Sequence, residues 1–213
     1  MLCIAAIVAF LDRQIINLLV EPIKSDLGIS DTQISLLQGF AFALFYSIVA
    51  IPLGRLVDTN NRKKIIAVGM VLWSLATMLC GISKIFIQLF FARMFVGIGE
   101  ATLSPAGMSI IADYFSRKTL TRALSVFNGS GFFGSGIALV IGGLVINQLM
   151  IFGDLNFGVF GIMKPWQLTF IVVALPGLIF VLIIWFFLDE PQRVSSGFSD
   201  EKDYYSIKDA WLY

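Results

Sequence analysis

The chain has 213 residues, of which 58% are hydrophobic, only 14% charged, and 20 are Phe; a water-soluble core of this size needs no such excess of apolar side chains. The net charge is +1 and there is no His, so nothing suggests a basic field for nucleic acid, and imidazole-based metal, triad or pH-sensing chemistry is excluded. The composition predicts an all-α integral membrane protein.

A helix crosses about 30 Å of hydrocarbon with about 20 apolar residues. Six stretches meet that length: 2–22, 33–54, 64–83, 85–112, 122–149 and 166–188. The first contains Asp12-Arg13, has no preceding basic region and no small-residue cleavage site, so it reads as a first span with a short or missing leader, not as a signal peptide. Cys3 and Cys80 lie inside apolar runs and read as small packing residues.

The second and third spans are joined by Gly54-Arg-Leu-Val-Asp-Thr-Asn-Asn-Arg-Lys-Lys64, the densest positive charge in the chain. This is a tight cytoplasmic hairpin by the bias of Lys and Arg toward that side. Gly54 allows close helix approach, Asp58 and Arg62 stand four apart as an ion pair would on a helical turn, and Asn60 and Asn61 tolerate the left-handed conformation of a tight turn.

The fourth span carries Arg93 and Glu100, seven apart and so on one face of a helix. An ionisable group at mid-membrane costs at least about 2.5–3.5 kcal/mol on insertion scales, which implies that Asp12, Arg13, Arg93 and Glu100 pair with one another around a cavity. At about 1.5 Å per residue, the depth of Asp12 and Arg13 falls between those of Arg93 and Glu100 on the antiparallel fourth span. A static ion-pair network fits the same residues, as does a carboxylate, either Asp12 or Glu100, that takes and loses a proton.

In the fifth span, Ser130/Gly134 and Gly131/Ser135 have the four-residue spacing of close helix contact, a device repeated in the second by Ala43, Ser47 and Gly54. Gln38, Phe42 and Tyr46 recur every four residues and put one face of the second span toward the cavity or toward a neighbouring helix. With Gln14, Asn17 and Asn128, the polar members Gln38 and Tyr46 are the candidate cavity lining. Gly54-Arg-Leu-Val57 and Gly142-Gly-Leu-Val145 stand 88 residues apart, and the same shift sets Asp12 on Glu100, as a three-plus-three inverted repeat would. After Asp189-Glu190-Pro191 the composition turns polar. The expected division is a bundle over 1–190 and a cytoplasmic loop segment over 191–213, with a short surface helix at 204–213. Ten Lys and Arg fall on the side of Arg62 and three (Lys24, Lys84, Lys164) on the other, which places both termini in the cytoplasm.

The Gly54 loop resembles the signature of the major facilitator superfamily, Gly-x-Leu-Ala-Asp-Arg-x-Gly-Arg-Lys, between its second and third helices. Gly54, Leu56, Asp58, Arg62 and Lys63 match; Thr59 stands where a basic residue is usual, and Asn61 replaces the second glycine. Asp12-Arg13 with Arg93-Met-Phe-Val-Gly-Ile-Gly-Glu-Ala101 looks like the spinster-like branch and its bacterial relatives, and Asp113, Arg122, Trp166-Gln-Leu-Thr-Phe170 and Asp189-Glu-Pro-Gln-Arg193 agree. The superfamily's antiporter pattern, a Gly-Pro in the fifth helix, is missing.

The resemblance implies the N-terminal six-helix half of a major facilitator fold, whose central loop leads on to a second six-helix half. It implies a proton-coupled transporter of an organic anion or amphiphilic solute in a bacterial inner membrane. Asp12, Arg13, Arg93 and Glu100 would form the coupling and substrate site, and Gly54, Asp58, Arg62, Lys63 and Asp113 the cytoplasmic gate. The partners would be a small-molecule substrate, protons, membrane lipid and the C-terminal half, with no cofactor, metal, nucleic acid or enzymatic activity. Two rivals remain: an organic-anion symporter of the hexuronate or phthalate type, with Arg13 or Arg93 clamping a carboxylate, and a non-transporting membrane scaffold.

Overall fold

The computed structural model describes residues 1–157 and 161–193; the surface helix expected over 204–213 lies outside them. Helices α1 (Leu2–Leu18) and α2 (Val20–Leu27) meet at a 56° bend and together make the first span. The second runs from Asp31 to Thr59 as α3 (Asp31–Ser35), a π-helical segment (Leu36–Phe40) and α4 (Ala41–Thr59). Then follow α5 (Arg62–Ile82), α6 (Phe86–Glu100) with α7 (Leu103–Tyr114), α8 (Arg117–Phe152) and α9 (Pro165–Phe187), with the short antiparallel pair β1 (Leu155–Asn156) and β2 (Ile162–Met163) between the last two.

The helices outrun the apolar stretches that announced them, because charged ends continue past the hydrocarbon: α8 adds Arg117, Lys118 and Arg122 before its apolar core. The ends are set locally. Ser30 accepts from the Gln33 amide at 3.3 Å and its own amide donates to Gln33 Oε1 at 2.9 Å, a capping box that starts the second span. The loop before α5 corrects the sequence reading. Asn60 and Asn61 are extended, at φ −118° and −67°, not left-handed, and the Asn61 side chain caps α5 by accepting from the Lys64 amide at 2.8 Å.

The first span packs on the fifth through α1 and α8, the fourth on the second through α6 and α4, and the third on the sixth through α5 and α9. Exchanging spans one to three with four to six maps this pairing onto itself, as a three-plus-three inverted repeat requires. Glycines set the approach. A Cβ at Gly131 would stand 2.4 Å from the Phe10 ring, and one at Gly134 3.0 Å from Ile7 Cα, so the small face of α8 lets α1 close on it. The matching face of α4 is unused here. Ala43 and Ser47 are exposed and a Cβ at Gly54 meets nothing within 4 Å, because α4 turns Phe42, Leu53 and Val57 to the core instead.

Span four meets backbone on two sides. A Cβ at Gly97 would lie 2.6 Å from the Phe42 carbonyl oxygen of α4, and one at Gly99 2.7 Å from the Trp73 amide of α5. Backbone cannot yield as a side-chain tip does. Gly99→Ala is therefore expected to destabilise the bundle by about 1–3 kcal/mol through overpacking. A thermal melt of detergent-solubilised protein reads this against Gly136→Ala, whose Cβ meets nothing within 4 Å; equal melting of the two variants contradicts it.

Candidate functional site

Glu100 ends α6, one residue past the close approach at Gly99, and this places its carboxylate beside α1. Arg13 donates through Nε and Nη2 to Glu100 Oε2 at 3.1 and 2.6 Å. The Glu100 side chain is 1% exposed and that of Arg13 31%, so the pair opens on one side only. Glu100 Oε1 is buried and makes no hydrogen bond among the described residues. Three rings surround the guanidinium, with centroids 4.8 Å (Phe10), 4.5 Å (Phe42) and 5.5 Å (Tyr46) from its carbon. Cation–π attraction of this kind strengthens as water is excluded.

Asp12 and Arg93 form the second pair, sealed where the first is open; both are 0% exposed. Arg93 Nη1 donates to the Asp12 backbone carbonyl at 3.3 Å. Neither Asp12 carboxylate oxygen completes a hydrogen bond, nor do Arg93 Nε and Nη2, although the Trp73 indole and the Arg93 guanidinium both act on that carboxylate. Phe42 lies between the two pairs, its ring 4.5 Å from the Arg13 carbon and 5.6 Å from that of Arg93. Two acids and two bases thus share one layer around an aromatic ring.

A cavity of about 180 Å³ opens onto this layer, and its polar wall is Arg13, Tyr46, Glu100, Ser104 and Asn128. Of the five lining candidates, Tyr46 and Asn128 are in that wall. Gln14, Asn17 and Gln38 are not. They form a chain of their own, in which Gln38 Nε2 donates to Asn17 Oδ1 at 2.8 Å and Asn17 Nδ2 to Gln14 Oε1 at 2.5 Å, so they join α1 to the π-helical segment. Ser104, Phe10, Phe127 and Trp73 were not singled out from sequence. A faint signal existed for Phe10, three residues before Arg13 and so on the same helical face.

At the basic end of the bundle the candidate gate residues separate. Arg62, 1% exposed, pairs with Asp113 and with Glu190, to which its Nε donates at 2.7 Å, and its other nitrogens reach Ser109 and the Pro191 carbonyl oxygen at 2.9 Å. The expected Asp58–Arg62 pair does not form. Helix α4 ends at Thr59 and the extended Asn60 breaks the turn that the four-residue spacing requires. Asp58 makes no ion pair among the described residues, and its backbone carbonyl accepts from Arg193. The Lys63 amide donates to Glu190 Oε2 at 2.8 Å, and its ammonium stands 5.9 Å from the Trp185 ring. Burial pushes the Glu190 carboxyl up, but the Lys63 amide and the Arg62 guanidinium outweigh it and hold the group below the usual carboxylate range. Pro191 and Arg193 therefore pack with the bundle, and the boundary drawn at 190 falls inside this cluster.

Two inverted triplets of helices with opposed charges at mid-depth define a class of multi-pass membrane protein. Residues 2–212 match the model of the Major Facilitator Superfamily, and the chain belongs to that superfamily. The "Probable L-galactonate transporter" of Escherichia coli is 30% identical over 88% of this chain, and "Protein spinster homolog 1" of Xenopus tropicalis 33% identical over 86%. The crystal structure of a bacterial homolog to the human lysosomal transporter spinster, inward-facing and occupied, matches 94% of this chain with a TM-score of 0.81 and 34% identity. The chain covers 38%, 32% and 45% of these three, less than half of each. The family is one of transporters and not of enzymes.

Proposed function

We propose that the chain is the N-terminal six-helix half of a proton-coupled secondary transporter for an organic anion. The observation that carries this reading is the Arg13–Glu100 pair at the wall of the cavity, with one Glu100 oxygen left without a hydrogen bond. A proton on Glu100 weakens its hold on Arg13, and the freed guanidinium takes the carboxylate or phosphate of the solute in bidentate fashion. Loss of the proton returns Arg13 to Glu100 and expels the anion. Asp12 and Arg93 are the second candidate for the proton, because a fully buried carboxylate is costly to keep charged. The Arg62 cluster is the cytoplasmic gate of a bacterial plasma-membrane protein, and the ten-to-three bias of Lys and Arg supports an orientation with both termini in the cytoplasm.

A symporter of the hexuronate or phthalate type uses the same pair with a sugar-acid carboxylate on Arg13, and the L-galactonate name of one relative favours it. The test is uptake of a radiolabelled sugar acid or of an amphiphile with an anionic headgroup by vesicles of the complete protein, with and without an inward proton gradient. Saturable uptake of at least one, enhanced by the gradient, is expected. Uptake of none of them, or uptake blind to the gradient, contradicts the proposal.

A further inference from the structure

A groove of about 480 Å³ runs between α4, α5 and α6 at the basic end and belongs to neither cluster described above. Its walls are Leu53 of α4, Val68 and Leu72 of α5 and Ile98 of α6, and at its mouth stand Asn60 and Lys64. Apolar walls with one cationic lip are the inventory of a site for an amphiphile.

The direction in which the groove opens follows from the register of α4. Leu53 and Leu56 stand three apart and share one face of α4 at about 100° per residue, with Asn60 just past its end, whereas Ala43, Ser47 and Gly54 lie roughly 130° around the helix. The small-residue face is the one left empty for a further helix to approach. The groove opens on a different side of α4, beside Val68, which is 67% exposed, and Leu56, which is 45% exposed. Depth fits as well. Lys64 and Leu72 are eight residues apart on α5, about 12 Å along the helix, close to half of a hydrocarbon core of about 30 Å.

Charge selects the occupant. In the run Arg62-Lys63-Lys64 the first residue is committed to Asp113 and Glu190, and the second lies over Trp185. Lys64 makes no ion pair among the described residues. We propose that this groove is a specific site for an anionic phospholipid of the adjoining leaflet, its phosphate on Lys64 with Asn60 beside it and an acyl chain laid between α4 and α5. The site is independent of transport at Arg13 and Glu100, and a lipid seated there bridges the two helices joined by the Gly54 loop.

The test is native mass spectrometry of the complete protein in neutral detergent, titrated with phosphatidylglycerol or phosphatidylcholine. The parent is expected to retain phosphatidylglycerol selectively, and Lys64→Gln to weaken that retention about fivefold, the worth of one cation near an anionic headgroup. Lys84→Gln, at the other end of α5, should leave it unchanged. Val68→Trp fills the groove without touching charge and should lower retention of both lipids, with Leu72→Phe as the milder substitute. Equal retention of the two lipids, or indifference to Lys64→Gln, overturns the site. Full retention in both groove variants would leave the lipid merely adsorbed on the basic loop. Displacement by millimolar inorganic phosphate would make it a bare anion site, and no retention by the complete protein would mean that other parts of that protein cover the groove. Each of these outcomes contradicts the proposal.

Discussion

Glu100→Gln is expected to abolish proton-driven accumulation of the solute while leaving solute exchange across the membrane partly intact. The amide keeps a hydrogen-bonding oxygen for Arg13, 2.6 Å away in the parent, but it has no proton to release and no charge to recapture the guanidinium. Accumulation requires the proton step. Exchange requires only that the loaded site face each side in turn. The assay compares gradient-driven uptake with counterflow in vesicles of the complete protein. Accumulation equal to the parent removes Glu100 from the coupling step and moves the proton to Asp12; loss of both activities with normal folding makes Glu100 a binding group only.

The second large effect is expected at Arg62→Ala. Arg62 is 1% exposed and its guanidinium meets Asp113, Glu190, Ser109 and the Pro191 carbonyl. Truncation leaves two carboxylates facing each other, so the expected cost is about 3 kcal/mol, the low end for breaking a buried pair because the cluster stands at the aqueous end of the bundle. A detergent melt should show a clear fall in Tm, where Arg55→Ala, on the exposed side of α4, should show little. The pH dependence has a definite sign. Because the folded Glu190 group titrates below its usual range, its contribution is complete above the ordinary Glu value of about 4.3 and is lost as pH falls through the lower folded value. The difference in Tm between the parent and Glu190→Gln should therefore be full at neutral pH and shrink in acid. A constant difference would mean that Glu190 acts through packing alone.

How much of this was legible in the sequence depends on how far apart the partners lie. The spans were legible, because hydrocarbon thickness fixes their length, and so was the meeting of four charges in one layer, because helical rise converts position into depth. The pairing within the layer was not. Arg13 and Glu100 are 87 residues apart and Asp12 and Arg93 81, and only the side chains that α1 and α6 reach toward each other decide which acid faces which base. The aromatic box hides for another reason: a Phe in a chain with 20 of them carries no local signal.

The basic loop shows how local spacing misleads. Asp58 and Arg62 were paired on a four-residue interval that assumes a continuous helix, but the chain turns extended at Asn60. The true partners of Arg62 lie 51 and 128 residues downstream. The break in span four after Glu100 has a local cause that an uninterrupted apolar span over 85–112 passes over, because Pro105 has no amide to offer the Ala101 carbonyl. The residues that make the close contacts there, Gly97 and Gly99, stand with Glu100 in one short motif.

The most direct measurement of the central claim reverses the usual experiment. Vesicles of the complete protein are held with no proton gradient, an inward gradient of the transported organic anion is imposed, and internal pH is followed with a trapped dye. Proton coupling through the Arg13–Glu100 pair predicts that the anion gradient alone drives protons in the same direction as the anion, and that Glu100→Gln carries the anion without the pH change. An anion flux in the parent with no movement of protons would contradict it.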